Sequence, residues 1–202
     1  MKLDKKQKIN QRVAIFIDGS NFYYKLKNIG ISNTTYFQYG AFASWLALDR
    51  EIIAKRYYVG VVRAKENDEK GQRMRKNQRR LFNNLSSAKC GFIVERGYLL
   101  KNDGTYHEKG VDVKMAVDLL VGAYEDLYDV AILISSDTDL IPAIEKVRAL
   151  GKEVEYVGFS HQPSLGLIKN ASETKLLTKN EVEQFQNRSE ERRVGKECRS
   201  RW

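Results

Sequence analysis

Val13-Ala14-Ile15-Phe16-Ile17 runs directly into Asp18-Gly19, and Val130-Ala131-Ile132-Leu133-Ile134 runs into Ser135-Ser136-Asp137-Thr138-Asp139. Each apolar run lacks the alternation of a half-buried strand and is shorter than an ordinary helix. Both therefore read as strands buried on two faces, the habit of a parallel sheet. Each also ends in acid, so the two strands together deliver three carboxylates to one rim if they are neighbours.

Working outward, Ser20 or Asn21 is expected to cap a short helix after the first strand. Residues 36–48 read as a second helix with Phe37, Ala41, Trp45 and Leu48 on its apolar stripe, and residues 56–62 as a strand. A helical pattern covers 67–89, with Met74, Gln78, Leu81 and Leu85 on one face, Arg73, Lys76 and Arg80 on the other, and Gly91 closing it. Residues 92–100 read as a strand, and Asn102-Asp103-Gly104 as a tight hairpin-like turn. After Gly110 a helix is expected, with Val113, Ala116, Val117, Leu120, Val121 and Tyr124 as its stripe. Residues 140–150 follow as a helix closed by Gly151, residues 153–159 as a last core strand, and 163–178 as peripheral helix or loop. Strands alternating with helices give an α/β fold with a central, mainly parallel sheet and helices on both faces.

The chain has 202 residues, 42% of them apolar, which favours one domain with a sizeable core. Residues 1–11 are expected to be a flexible N-terminus, 12–178 the domain, and 179–187 a C-terminal helix or tail. The final stretch, 188–202, is similar to the translation of a common sequencing adapter and is expected to lie outside the natural reading frame; the alternative is a solvated basic tail. It holds six Lys or Arg and three Glu, so the formal charge of +9 falls only to +6 without it. A polyanionic partner is implied either way. Two cysteines, Cys90 and Cys198, and two separated histidines, His107 and His161, speak against a disulfide framework or a soft-ligand zinc site. With no membrane-length apolar run and no signal-like N-terminus, a soluble cytoplasmic protein is expected. The sequence is compatible with a homo-oligomer without specifying one.

Asp112, near the start of the helix after Gly110, is expected to turn toward the sheet on the same side as Ala116 and to join Asp18, Asp137 and Asp139. Four such acids repel one another unless a cation neutralises them, and an all-oxygen donor set suits Mg²⁺ or Mn²⁺. Each acid also has a structural reading: Asp18 as a turn residue, Asp112 as a favourable charge at a helix start, Asp137 or Asp139 as a helix cap. Pro142 weakens the cap reading for Asp139, because the third helical position then has no N–H to give. Asp118 is expected to pair with Lys114 on the helix surface.

Phe16-Ile17-Asp18-Gly19-Ser20-Asn21-Phe22, Lys109-Gly110-Val111-Asp112-Val113 and Ser135-Ser136-Asp137-Thr138-Asp139-Leu140 resemble, in order and spacing, the three motifs of the NYN family in its LabA-like branch. The resemblance implies a PIN-like fold with a Rossmann-type sheet and metal-dependent cleavage of RNA. Carried onto this chain, it assigns Asp18, Asp112, Asp137 and Asp139 to the catalytic metal site. Asn21, Ser136 and Thr138 become supporting polar groups, and Lys109 a candidate phosphate contact whose alternative is a solvated turn lysine.

Lys70, Arg73, Arg75, Lys76, Arg79 and Arg80 crowd one helix, where they would grip the backbone of RNA, single-stranded by expectation, or merely solvate the helix. Tyr23, Tyr24 and Tyr36 could stack unpaired bases, although core or rim packing is the more ordinary fate of such residues. Two other functions fit less of the sequence. A non-catalytic RNA-binding or regulatory module keeps fold and charge without turnover. A phosphatase with Asp18 as nucleophile wants a second acid two residues on, where Ser20 stands.

Overall fold

The computed structural model describes residues 10–31, 33–62, 64, 67–102 and 105–186, with 98–102 and 105–109 described through their backbone alone. The readings made for residues 1–9 and 188–202 lie outside these residues.

The first strand, β1 (Arg12–Asp18), sits at the centre of a seven-stranded sheet. On one side it pairs with β2 (Glu51–Val61), and beyond that come β3 (Ile93–Asn102) and β4 (Thr105–Lys109). On the other side lie β5 (Val130–Ile134), β6 (Glu153–Phe159) and β7 (Glu173–Leu177). All pairings are parallel except β3 with β4, an antiparallel pair closed by Asn102 opposite Thr105. The turn residues Asp103 and Gly104 are outside the described set.

Two-sided burial explains the apolar runs. Val13, Ile15 and Ile17 of β1, with Val130, Ile132 and Ile134 of β5, enter one core; Ala14, Phe16, Ala131 and Leu133 enter the other. Against the first face pack α1 (Gly19–Asn28), α2 (Tyr39–Ala47) and α3 (Glu69–Leu85). Against the second pack α4 (Val111–Tyr124), α5 (Ile141–Ala149) and α6 (Leu165–Asn170), while the short α7 (Lys179–Glu183) returns Val182 and Phe185 to the first. The three-layer α/β architecture read from the sequence is the one observed. Among the described residues no helix is long and apolar enough to cross a membrane.

Several local readings are corrected. Helix α1 is capped by Asp18, whose carboxylate accepts the Asn21 N–H, and not by Ser20 or Asn21. The expected helix over 36–48 begins at Tyr39 after a 3-10 turn (Thr34–Tyr36), which rotates its stripe: Phe42, Ala43, Leu46 and Ala47 are buried, Ala41 and Leu48 exposed. On α3, Leu81 and Leu85 reach the core, whereas Gln78 bonds the end of β2, donating to the Gly60 carbonyl at 2.7 Å and accepting the Val62 N–H at 2.9 Å. Residues 163–178 contain not only α6 but also β7, an edge strand.

The largest reversal concerns α4. Its buried residues are Val111, Met115, Leu119, Gly122 and Ala123, while Val113 is 69% and Tyr124 60% exposed, with Val117 and Val121 outward beside them. Helical spacing marks two apolar faces on this helix. The core takes the one whose Met115 and Leu119 reach the sheet. Asp118 likewise lies deeper than a surface pair: it accepts the Tyr58 hydroxyl at 2.9 Å and meets Arg56, with Lys114 farther off at 3.8 Å.

A cavity of about 500 Å³ lies toward the amino ends of β2, β6 and β7, walled by Leu46, Ile132 and Val157 beside the Arg50–Glu155 ion pair. It is at the opposite end of the strands from Asp18 and the loop that follows β5.

Candidate functional site

The order of strands fixes where a site should be. From β1 the chain moves one way to β2 and β3, then crosses to β5 on the other side of β1. The crevice beyond the carboxyl ends of β1 and β5 is therefore the switch point at which open α/β sheets bind ligands.

Asp18 ends β1 there and is buried. The chain can turn sharply after it because residue 19 is glycine: a Cβ would strike the ring of Tyr57 and lie 2.7 Å from the Tyr58 carbonyl oxygen. Asp18 Oδ1 accepts the Asn21 N–H at 3.0 Å and Oδ2 accepts the Ser135 hydroxyl at 3.0 Å. Ser135 Oγ in turn accepts the Asp137 N–H at 3.1 Å, and Asp137 Oδ1 accepts the Asp139 N–H at 2.9 Å. A continuous chain of hydrogen bonds thus runs from the end of β1 through the loop after β5. Ser135 is the residue that sequence reasoning missed. Parallel pairing of Ile17 with Ile134 makes the next residues, Asp18 and Ser135, neighbours, so register was the signal that could have found it.

Asp112 stands in the first turn of α4, which follows its N-cap Gly110, where φ is +79°, a left-handed conformation that favours glycine. The carboxylate does not tuck under the sheet as expected but is exposed on the flank of the helix. Its pKa is nevertheless raised, first by the protein packed around it, then by the charges of Asp137 and Asp139, against a lowering hydrogen bond from its own backbone. The three acids therefore share one electrostatic neighbourhood, while Asp18 joins through Ser135.

Asp137 caps the 3-10 turn Thr138–Leu140, which accounts structurally for one acid; Asp139 is exposed and caps nothing, since Leu140 occupies the cap of α5 with Pro142 in its first turn. Ser136 is half-buried and Thr138 lies beside it in the same loop. Asn21 contributes its backbone N–H to Asp18. Lys109 ends β4 and its side chain lies outside the described residues. Arg73, Lys76 and Arg80 are exposed on α3, which begins just beyond β2, and no contact among the described residues joins them to the acids. Farther along the rim, Lys25 of α1 donates to the Gln162 carbonyl at 2.8 Å, and burial, then the Lys25 charge, lowers the pKa of His161.

Among the described residues no three acid, histidine or cysteine side chains form a ready-made metal cage. The donor chemistry still fits a hard cation: every candidate donor is an oxygen, and a divalent ion would favour the ionised form of Asp112, which burial first and the charges of Asp137 and Asp139 second disfavour.

No curated protein sequence matches this chain. Among solved structures, a Vibrio parahaemolyticus protein of unknown function is similar in fold, with a TM-score of 0.59 and 23% identity over 88% of this chain and 96% of that one. A T5 5′-exonuclease with bound zinc ions has a TM-score of 0.42 and 14% identity over 78% of this chain and 60% of that one, a likeness too slight to argue from. The family model that matches is the NYN domain, over residues 12–177, taking in all three motifs and every strand of the sheet. This chain belongs to the NYN domain family.

Proposed function

We propose that the protein is a metal-dependent ribonuclease of the LabA-like branch, acting in the cytoplasm on RNA phosphodiester bonds. The observation that carries this reading is the hydrogen-bond chain that ties Asp18 through Ser135 to Asp137 and Asp139 beyond the carboxyl ends of β1 and β5, at the switch point of an NYN fold. Asp18, Asp112, Asp137 and Asp139 would hold Mg²⁺ or Mn²⁺, which supplies a water activated at neutral pH and positive charge against the phosphate.

The remaining steps belong to the chain itself. The Ser135 hydroxyl and Asn21 N–H orient Asp18, so that its carboxylate is set before substrate arrives. The backbone of the β5 loop is held by Ser135 and Asp137, which keeps Asp139 on the solvent side. The hydroxyls of Ser136 and Thr138 flank the acids within reach of a phosphate, and the α3 cations, with Lys109, grip the RNA backbone.

The test uses labelled single-stranded RNA with Mn²⁺, with EDTA, and with an Asp137→Asn variant. Cleavage confined to wild type with metal is expected. Equal cleavage by the variant, or indifference to EDTA, would contradict the reading.

A further inference from the structure

Tyr23 and Tyr24 are not core residues. Helix α1 buries Phe22 and Leu26 in an aromatic cluster with Phe37, Tyr39, Phe42 and Phe159, yet Tyr23 is 38% and Tyr24 62% exposed. Their rings meet edge to face, with centroids 5.3 Å apart and planes at 72°, so each restrains the other while leaving ring surface open. Neither hydroxyl has a hydrogen-bond partner among the described residues. The pair lies within about 9 Å of Asp18 along the helix axis, five and six residues beyond the acid that caps it.

A second observation bears on the kind of ligand they would meet. Lys70, Arg73, Arg75, Lys76, Arg79 and Arg80 all lie on α3, and none pairs with a carboxylate among the described residues. Ion pairs hold Arg12, Arg50, Arg56, Lys114, Lys152 and Lys179 elsewhere, while Lys27, Lys89 and Lys146 are without one among the described residues; what sets α3 apart is that six such cations crowd one helix. Helices α1 and α3 pack on the same face of the sheet and start at the carboxyl ends of adjacent strands. Exposed aromatic rings on one helix and a crowd of cations on another, both helices starting at the same edge of the sheet, complement a ligand that has both flat apolar faces and a chain of anions.

We propose that Tyr23 and Tyr24 form a stacking platform for an unpaired nucleobase of the strand whose phosphates α3 holds. The inference rests on the reading of RNA as the substrate and adds the base subsite and the reason for strand selectivity. In a duplex, base faces are covered by their neighbours and cannot reach the rings; in a single strand a base can leave the stack and lie on Tyr24.

The test is binding in EDTA, where no cleavage intervenes, of a short fluorescent oligoadenylate as single strand, as duplex with oligouridylate, and as an abasic strand of equal length. The Tyr23→Ala/Tyr24→Ala variant is expected to bind the single strand about tenfold or more weakly than wild type, with duplex and abasic affinities unchanged. Tyr23→Phe/Tyr24→Phe is expected to restore single-strand affinity, since stacking needs the ring and not the hydroxyl. Unchanged single-strand binding by the alanine variant, or an equal loss on all three ligands, would overturn the proposal. So would a change of oligomeric state in size-exclusion chromatography, which would assign the pair to a protein contact. If this binding pattern holds while Mn²⁺-dependent cleavage is absent, the subsite stands and the ribonuclease reading falls; cleavage by wild type with an indifferent tyrosine pair gives the reverse.

Discussion

Ser135 touches Asp18 with its oxygen as donor and the next loop's backbone with the same oxygen as acceptor, so one hydroxyl aligns two parts of the rim. Ser135→Ala is expected to cost about 1–3 kcal/mol in urea unfolding, because it leaves a buried carboxylate oxygen short of a donor. Mn²⁺ affinity should fall about 10- to 100-fold in calorimetric titration, as for other groups that orient metal-binding carboxylates. A hydroxyl serving only the fold would move the first quantity and not the second. At the opposite end of β1, Asp129 takes both a side-chain and a backbone hydrogen bond from Arg12, and its pKa falls to about 2. An unfolded aspartate titrates near roughly 3.9, so the folded state binds fewer protons in between. The stabilisation is complete above about pH 4 and is lost as pH falls toward about 2. Asp129→Asn should flatten the acid-unfolding curve in that window, as followed by circular dichroism.

Elements differed in how much of them the residues disclosed. Strands β1 and β5 were legible to within a residue because burial on both faces leaves an uninterrupted apolar run that nothing else in the chain imitates. Helix α4 was legible in place but not in rotation, since Val113, Val117 and Val121 are as apolar as Met115 and Leu119 and only packing distinguishes the faces. Two substitutions check the observed rotation: Leu119→Ala should cost about 2–5 kcal/mol, whereas Val117→Ser should stay within about 0.5 kcal/mol. Comparable destabilisation at both positions would mean that the outer face is covered in solution. Strand β7 escaped reading because its edge position buries little more than Leu177, so no two-sided pattern marks it. On α3 the charges were legible and their lack of partners was not, because pairing depends on the neighbouring elements. Arg73→Glu with Lys76→Glu should weaken RNA binding and flatten its salt dependence by about 0.7 in log–log slope for each phosphate left unneutralised. An unaltered slope would reduce the stripe to a solvated face.

At the scale of the whole molecule, the acids come from three distant stretches of chain, and only the strand order brings them to one rim. The motifs announced which residues to compare; the β1–β5 pairing and the Asp112 shift supply their neighbourhood. Because such a site exists only in the folded chain, ligand binding must stabilise the fold. Mn²⁺ at about a hundredfold excess over its dissociation constant should add about 2.7 kcal/mol, a rise in Tm of roughly 5–10 °C, and Asp112→Asn should remove most of it. The most direct measurement is anomalous diffraction from a crystal soaked in Mn²⁺. The account predicts a peak between Asp112 and the β5 loop, with oxygens of Asp137 or Asp139 at about 2.0–2.3 Å. A map empty there, with Mn²⁺ bound elsewhere or nowhere, would contradict it.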